Sequence, residues 1–261
     1  MIHVGTLSEA GPTHETFPLL NGVAHRHTLI RGAETDRPSP HVFLIEQTPG
    51  SEVRAHFHHN AEFQVMVAGA GRLGRHPVAP LLVHYAGQQT GYGPIVAGDR
   101  GLSYVTLRPV TEFGAWFLPE AAKMVDRTIP KGQTTGQHQE PAGAALPGQD
   151  HVSVDAILPP IVSGLAAWRV RVPPHAIAAP PSHPGGAGRF YLVTAGTLQY
   201  GDRTLEGLAS VWIGKDDVDP PLHAGRDGLE VLVLQFPADA WAFESRLGQA
   251  RDGDPRKLPP V

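Results

Sequence analysis

Two histidines and one glutamate in the N-terminal half of the chain could bind a metal ion. His56 and His58 are two residues apart in an extended segment, so both imidazoles point to the same face of a strand. Glu62 follows four residues later, beyond a short break at 60–61, and its carboxylate can turn onto that face from the neighbouring strand. Two imidazoles and one carboxylate form the ligand set of 2-His-1-carboxylate metal sites. The spacing therefore predicts a site for one divalent ion, with iron, zinc, nickel and manganese as the candidates.

Together with their flanking glycines, these residues resemble the first signature motif of the cupin superfamily. The fixed positions of that motif are matched by Gly50, His56, His58, Glu62 and Gly69. The resemblance implies a cupin β-barrel of the jelly-roll type, with the two histidines and the glutamate at the family's metal-ligand positions. Cupins that keep the barrel without a metal are common, so the motif indicates the fold more strongly than a bound ion.

A second copy follows the first at an offset of 127 residues and without a gap. Glycines recur in register, for example Gly69 with Gly196 and Gly74 with Gly201. Glycines at such positions mark turns that need a positive φ or a close backbone approach, so their recurrence indicates a shared topology. The chain is therefore similar to a bicupin, an all-β protein with two tandem barrels.

Short β-branched or aromatic runs, bounded by Gly or Pro, predict the strands of both copies. These runs are 41–47, 63–67, 81–85 and 102–107 in the first copy, and 168–172, 190–194, 209–213 and 229–234 in the second. Helical pieces are expected only near 115–125 and 239–247, and the charged tail from 249 is expected to be poorly ordered. We expect the N-terminal barrel over 1–125, an exposed Gly- and Pro-rich linker over 126–149, and the C-terminal barrel over 150–261.

The offset allows the candidate ligands of the two copies to be compared. In the cupin family, a later strand supplies a fourth ligand, a histidine. His223 stands where that residue is expected in the second copy, whereas its counterpart in the first copy is Val96. The first copy therefore keeps the first motif and lacks the fourth ligand.

The second copy loses two of the three ligands of the first motif. Its residues at the positions of His58 and Glu62 are a glycine and Arg189, which leaves His183 and His223 beside an arginine. We therefore expect the metal in the N-terminal barrel only, and a pocket without metal, lined by these three residues, in the C-terminal barrel.

Three further residues could complete the N-terminal site. His84, on the predicted strand 81–85, either replaces the missing fourth ligand or is a solvated outward histidine; its counterpart in the second copy is Val211. Gln64 shares the face of Glu62 and either contacts a ligand or the substrate or is a core glutamine bonded to the backbone. Tyr92 lies on a loop, where it either contacts substrate at the barrel mouth or packs a turn. His59 is expected on the surface, and no catalytic residue is assigned.

Composition excludes several classes of function. The chain has no cysteine, which rules out disulfides and thiolate sites. Its formal net charge of −4, without a dense Lys/Arg cluster, gives no footprint for nucleic acid or an anionic membrane. No signal-like segment or long apolar run is present, so a cytoplasmic protein is expected, either a monomer with two barrels or a homodimer.

Two hypotheses for function follow. The first is a metal-dependent enzyme that acts on a small oxygen-rich molecule in the N-terminal barrel, and the cupin resemblance favours a dioxygenase-type reaction. The alternative is a non-catalytic bicupin that binds a small molecule or serves as a scaffold. The degenerate second copy favours the alternative, whereas the complete first motif favours the enzyme.

Overall fold

The computed structural model describes residues 2–11, 14–32, 39–112, 114–144, 146 and 148–240. These residues divide into two compact units. The N-terminal unit contains 14–135, and the C-terminal unit contains 136–239 together with the first segment, 2–11. None of the helices in the described ranges is long and apolar enough to cross a membrane.

The N-terminal unit is built around an antiparallel sheet with the strand order β12-β9-β7-β10-β4-β3-β2, in which β5 also pairs with β10 and β8 with β7. Its strands are β2 (His14–Leu19), β3 (Gly22–Ile30), β4 (His41–Gln47), β5 (Glu52–Val53), β6 (His56–Phe57), β7 (Glu62–Leu73), β8 (His76–Val78), β9 (Leu82–Ala86), β10 (Ile95–Arg108), β11 (Trp116–Phe117) and β12 (Gln133–Gln137). The short strands β6 and β11 pair with each other, and a 3₁₀ helix spans Glu120–Met124.

The C-terminal unit repeats this arrangement with the strand order β1-β18-β16-β19-β14-β13, in which β15 also pairs with β19 and β17 with β16. Its strands are β1 (Ile2–Gly5), β13 (Ser153–Leu158), β14 (Ala166–Val172), β15 (Ile177–Ala178), β16 (Gly186–Tyr200), β17 (Arg203–Leu205), β18 (Ser210–Gly214) and β19 (Leu222–Pro237).

The glycines predicted to share a topology occupy equivalent turns in the two units. Gly69 has a φ of +73°, and an added Cβ would lie 2.2 Å from the carbonyl oxygen of Gly101. Gly196 has a φ of +67°, and its added Cβ would lie 2.2 Å from the carbonyl oxygen of Gly228. Only glycine suits such a conformation at such a close approach. The predicted repeat of two like β-barrels is confirmed.

The interiors of the two barrels differ in polarity. The C-terminal core is a continuous apolar cluster. It includes Trp168, Tyr191, Val211 and Val233. At the four equivalent positions, 127 residues earlier, the N-terminal unit has buried polar residues, which are His41, Gln64, His84 and Thr106. Buried polar side chains cost stability unless they are hydrogen-bonded, so their concentration in one copy points to a function there.

The boundaries of the units differ from the predicted domains. Residues 2–5 form β1 and pair with β18 of the C-terminal unit, because an edge strand can be supplied from a distant part of the chain. Part of the expected linker forms β12, and the helix expected near 115–125 is β11 followed by the 3₁₀ helix. All but the first two residues of the helical piece expected over 239–247, and the whole charged tail, fall beyond residue 240, outside the described residues.

Candidate functional site

The backbone around His56 is fixed by a reciprocal bridge to the loop of Tyr92. The amide of His56 donates to the carbonyl of Tyr92 at 3.0 Å, and the amide of Tyr92 donates to the carbonyl of His56 at 2.9 Å. The loop after β6 carries His58 and leads into β7, which starts at Glu62. The structure therefore brings the predicted ligands His56, His58 and Glu62 to one place, together with Tyr92.

An arginine that the sequence analysis missed lies between these residues. Arg108 ends β10, and its Nε donates to Oε2 of Glu62 at 2.8 Å. Its Nη2 lies 2.9 Å from Nε2 of His58, and its Nη1 donates to the carbonyl of Glu112 at 2.9 Å. The counterpart of Arg108 in the second copy is Gln235, so a comparison of the copies at this position would have singled it out.

The Tyr92 hydroxyl joins the rest of the polar cluster. It donates a short hydrogen bond to Oε1 of Glu62 and lies 2.9 Å from Nε2 of His56. The amide of Gln64 donates to the Tyr92 oxygen at 3.3 Å. Burial and the nearby Glu62 carboxylate raise the pKa of Tyr92, so its hydroxyl stays protonated. Tyr92 thus contacts two of the predicted ligands directly.

His84 is fully buried, so a solvated outward position is excluded for it. Its Nδ1 lies 3.1 Å from Oε1 of Gln64, and its Nε2 lies 3.2 Å from Oε1 of Gln133 on β12. Its ring contacts the Tyr92 ring, with 5.1 Å between the centroids. His84 therefore reaches the site through Gln64 and Tyr92, and its part as a metal ligand stays a prediction.

The hydrogen bonds of the two motif histidines define their tautomers. Nδ1 of His56 lies 2.7 Å from the carbonyl of Arg54, so it carries the proton and leaves a lone pair on Nε2. Nε2 of His58 faces the guanidinium of Arg108, which can only donate, so it also presents a lone pair. Burial lowers the pKa of His56 to about 3, and its imidazole is neutral.

Two buried carboxylates balance Arg108. Burial alone would raise the pKa of Glu62, but the Arg108 charge, with the hydrogen bond from Tyr92, outweighs it and holds the pKa at about 2. Glu112 behaves in the same way: His58, whose Nδ1 lies 3.7 Å away, and Arg108 overcome the effect of burial and lower its pKa to about 2. Both side chains are therefore charged at neutral pH, and they raise the pKa of Arg108 against the effect of its burial.

Glu112 also fixes the turn that carries His58. Its two carboxylate oxygens accept hydrogen bonds from the backbone amides of His59 and Asn60, at 3.0 and 3.1 Å. His59 is buried and packs edge-on against Trp116, with 4.7 Å between the ring centroids. The expectation of a surface position for His59 is wrong, because strand alternation ends at the turn after β6.

A cavity of about 390 Å³ opens next to this cluster. Apolar side chains line part of it, including Phe17, Phe43, Ile45 and Phe117. Polar side chains line the rest, including Gln64, Tyr92, Tyr104, Thr106 and Arg108. Volume and lining are those of a site for a small molecule that has both an apolar and a polar part.

The residues expected to line the C-terminal pocket do not form a comparable site. His223 is exposed, whereas its neighbours Leu222 and Ala224 belong to the apolar core, so its side chain lies on the outer face of β19. Arg189 pairs with Asp219 at 3.3 Å. His183 donates its backbone amide to Oε1 of Gln235 at 3.1 Å. The prediction that His223 lines an inner pocket is wrong. Side chains alternate along β19, and the inward positions on either side of His223 are taken by its two neighbours.

The N-terminal residues do not fit a divalent ion as they are arranged. The lone pairs of His56 and His58 suit a metal, but the Arg108 guanidinium occupies the position between His58 and Glu62. Across the described part of the chain, no three His, Cys, Asp or Glu side chains are placed to hold a metal ion. The donor set is that of a metal site, whereas the cation in it is an arginine.

Comparison with solved structures shows where this architecture recurs. An 11S globulin from Wrightia tinctoria, with an auxin binding site, aligns at a TM-score of 0.59 and 11% identity, over 90% of this chain and 83% of its own. The pirin YhhW of Escherichia coli, solved in complex with nickel(II), aligns at a TM-score of 0.56 and 12% identity, over 91% of this chain and 99% of its own. The chain has the bicupin fold.

A third structure is itself a bicupin. The oxalate decarboxylase of Bacillus subtilis, studied for its Mn(II) centres, aligns at a TM-score of 0.53 and 15% identity, over 93% of this chain and 78% of its own. No family model matches the sequence, and no curated protein matches it. At these identities the comparisons establish the fold of this chain and nothing of its function.

Proposed function

We propose that the N-terminal barrel of this bicupin binds a small oxygen-rich molecule with an apolar body. The observation that carries the proposal is a pair of hydroxyls in the cavity. Tyr104 and Thr106 line it on the same strand, and neither hydroxyl has a hydrogen-bond partner within the described residues. Burial and the Glu62 carboxylate raise the pKa of Tyr104, so its hydroxyl remains a donor at neutral pH.

The surroundings of these hydroxyls support an oxygen-bearing ligand. Arg108 lies beside them with its remaining N–H groups, and its guanidinium stacks 5.3 Å over the ring of Phe43. Carbonyl or hydroxyl oxygens of a ligand can accept from Arg108 and Tyr104, while its apolar part packs against the aromatic lining. Both hydroxyls face the cavity, so a ligand oxygen that accepts from them adds a hydrogen bond to its binding energy.

The experiment compares binding to native protein and to Tyr104→Phe. Catechol serves as an oxygen-rich probe and toluene as an apolar probe of similar size, with binding followed by ligand-detected NMR. The loss of one neutral hydrogen bond, about 0.5–1.5 kcal/mol, should weaken catechol binding by about 2–10-fold and leave toluene binding unchanged.

The control is Tyr200→Phe, a half-buried tyrosine of the C-terminal unit, which should leave both probes unaffected. Binding of neither probe to the native protein, or equal binding of catechol to both proteins, would contradict the proposed site.

The metal-dependent enzyme predicted from the sequence is the second candidate, with a dioxygenase-type reaction as its predicted chemistry. One observation favours it: His56 and His58 both direct Nε2 lone pairs into the site, as metal-binding histidines do. It requires Arg108 to leave Glu62 and His58. The metal content of the purified protein distinguishes the two candidates.

A further inference from the structure

The position of Arg108 among the predicted metal ligands suggests its part in the site. Its guanidinium contacts Glu62 at 2.8 Å and His58 at 2.9 Å. We propose that Arg108 is the resident cation of the N-terminal barrel. The native protein then holds no metal ion there, and removal of the guanidinium converts His56, His58 and Glu62 into a metal site.

Of the four predicted ligand atoms, three already accept a hydrogen bond from the chain itself, and the fourth is blocked by a neighbouring oxygen. Arg108 covers Oε2 of Glu62 and Nε2 of His58. The Tyr92 hydroxyl donates its one proton to Oε1 of Glu62, and its oxygen lies 2.9 Å from Nε2 of His56, where it blocks that lone pair. A divalent ion would have to displace both groups before it could bind, and it would lie against a buried positive charge. Such repulsion is strong in a poorly solvated interior.

Arg108 is anchored so that it cannot swing away at low cost. Its third contact is the carbonyl of Glu112, at 2.9 Å, and its guanidinium packs over Phe43. Only 4% of the residue is exposed, and a guanidinium that moved into the adjoining cavity would lose its contacts with Glu62 and Glu112. Removal of a buried cation from two buried carboxylates is also unfavourable by itself.

The second copy indicates which substitution the strand tolerates. Gln235 stands at the position of Arg108, and it pairs across the sheet with Arg189, the counterpart of Glu62. The second barrel therefore has a glutamine where the first has its cation. Arg108→Gln keeps at this position the polar side chain that the second copy has there. It removes the positive charge and the guanidinium N–H donors.

The experiment measures metal binding by native protein and by Arg108→Gln. Each is purified without added metal, incubated with Zn²⁺, Ni²⁺ or Mn²⁺, desalted and analysed for metal content and melting temperature. Native protein should retain no stoichiometric metal in the site and show no shift. Arg108→Gln should retain about one equivalent and melt about 5 °C or more higher with saturating metal.

Two further variants keep the result unambiguous. Adding Glu62→Gln to Arg108→Gln removes the carboxylate ligand, so metal retention should be lost. This loss distinguishes the site from the histidines of β2 and β3, which the variant leaves in place. Combining Arg108→Gln with Glu112→Gln leaves the summed formal charge of the cluster unchanged. This double variant replaces the single variant in the metal-binding assay if the single variant does not fold. It should also bind metal.

Stoichiometric metal in the native protein that is lost with Glu62→Gln would overturn the proposal. If neither Arg108 variant binds metal, the proposal is also overturned, because removal of the guanidinium then does not create a metal site.

Discussion

Glu62→Gln replaces a fully buried carboxylate by a neutral side chain of the same shape. Burial raises the pKa of Glu62, but the Arg108 charge and the hydrogen bond from Tyr92 lower it by more, from its ordinary 4.5 to about 2. At about 1.4 kcal/mol per pH unit, the substitution should cost about 3 kcal/mol at pH 7. Because the folded-state pKa is depressed, this contribution is present above pH 4.5 and is lost as the pH falls toward 2. The deficit of the variant should therefore shrink over that range.

The assay is urea unfolding of the native protein and the variant at a series of pH values from 7 to about 2.5. The other titrating groups are present in both proteins, so their contributions largely cancel in the difference. Glu46→Gln is the matched control: its carboxylate is half-exposed and pairs with His27 at 2.7 Å. That change should cost at most about 1 kcal/mol. Equal stabilities of Glu62→Gln and native protein at pH 7, or a deficit that persists in full near pH 2.5, would refute the reasoning.

Two further predictions concern the fold and its response to acid. Gly69→Ala and Gly196→Ala should each cost about 1–3 kcal/mol in urea unfolding, because both glycines have a positive φ and no room for a Cβ. Gly132→Ala, with nothing within 4 Å of the added Cβ, should change stability by less than about 0.5 kcal/mol; equal effects at all three positions would contradict the turn geometry. Burial and neighbouring arginines lower the pKa of His41 from 6.5 to about 3, so its neutral form favours folding and stability should fall as the pH drops through that range. His41→Phe should flatten this dependence, and an unchanged pH profile would exclude His41 as its source.

Local signals sufficed for the strands and for the repeat. The predicted run 41–47 is β4 to the residue, since its β-branched and aromatic side chains alternate between two buried faces. The turn glycines were also predicted, because a positive φ at a close backbone approach leaves little choice of residue. In contrast, β12 is a short polar sequence in which a glycine follows two threonines, and it has no apolar side chain to mark it as a buried strand.

The site was predictable only where the motif itself carried it. His56, His58 and Glu62 are close in sequence, and they do lie together. Arg108 is distant in sequence and reaches Glu62 because strand register places the two side by side across β7 and β10. Arginine does not bind metal ions, so Arg108 was not among the residues considered as ligands.

The position of His223 shows the complementary error. His223 was assigned to the second pocket because of its position along the sequence of the second copy. That position does not define which face of the strand its side chain occupies. A shift of one residue moves every side chain to the other face. The buried neighbours Leu222 and Ala224 show which face points inward.

The metal content of native protein, expressed in medium supplemented with iron, zinc, nickel and manganese and purified without chelator, tests the central claim most directly. If Arg108 is the resident cation of the N-terminal barrel, no single metal should approach one equivalent, and the melting temperature should not change on treatment with EDTA. One equivalent of a single metal, removed by EDTA with a fall in melting temperature and absent from Glu62→Gln, would contradict the account.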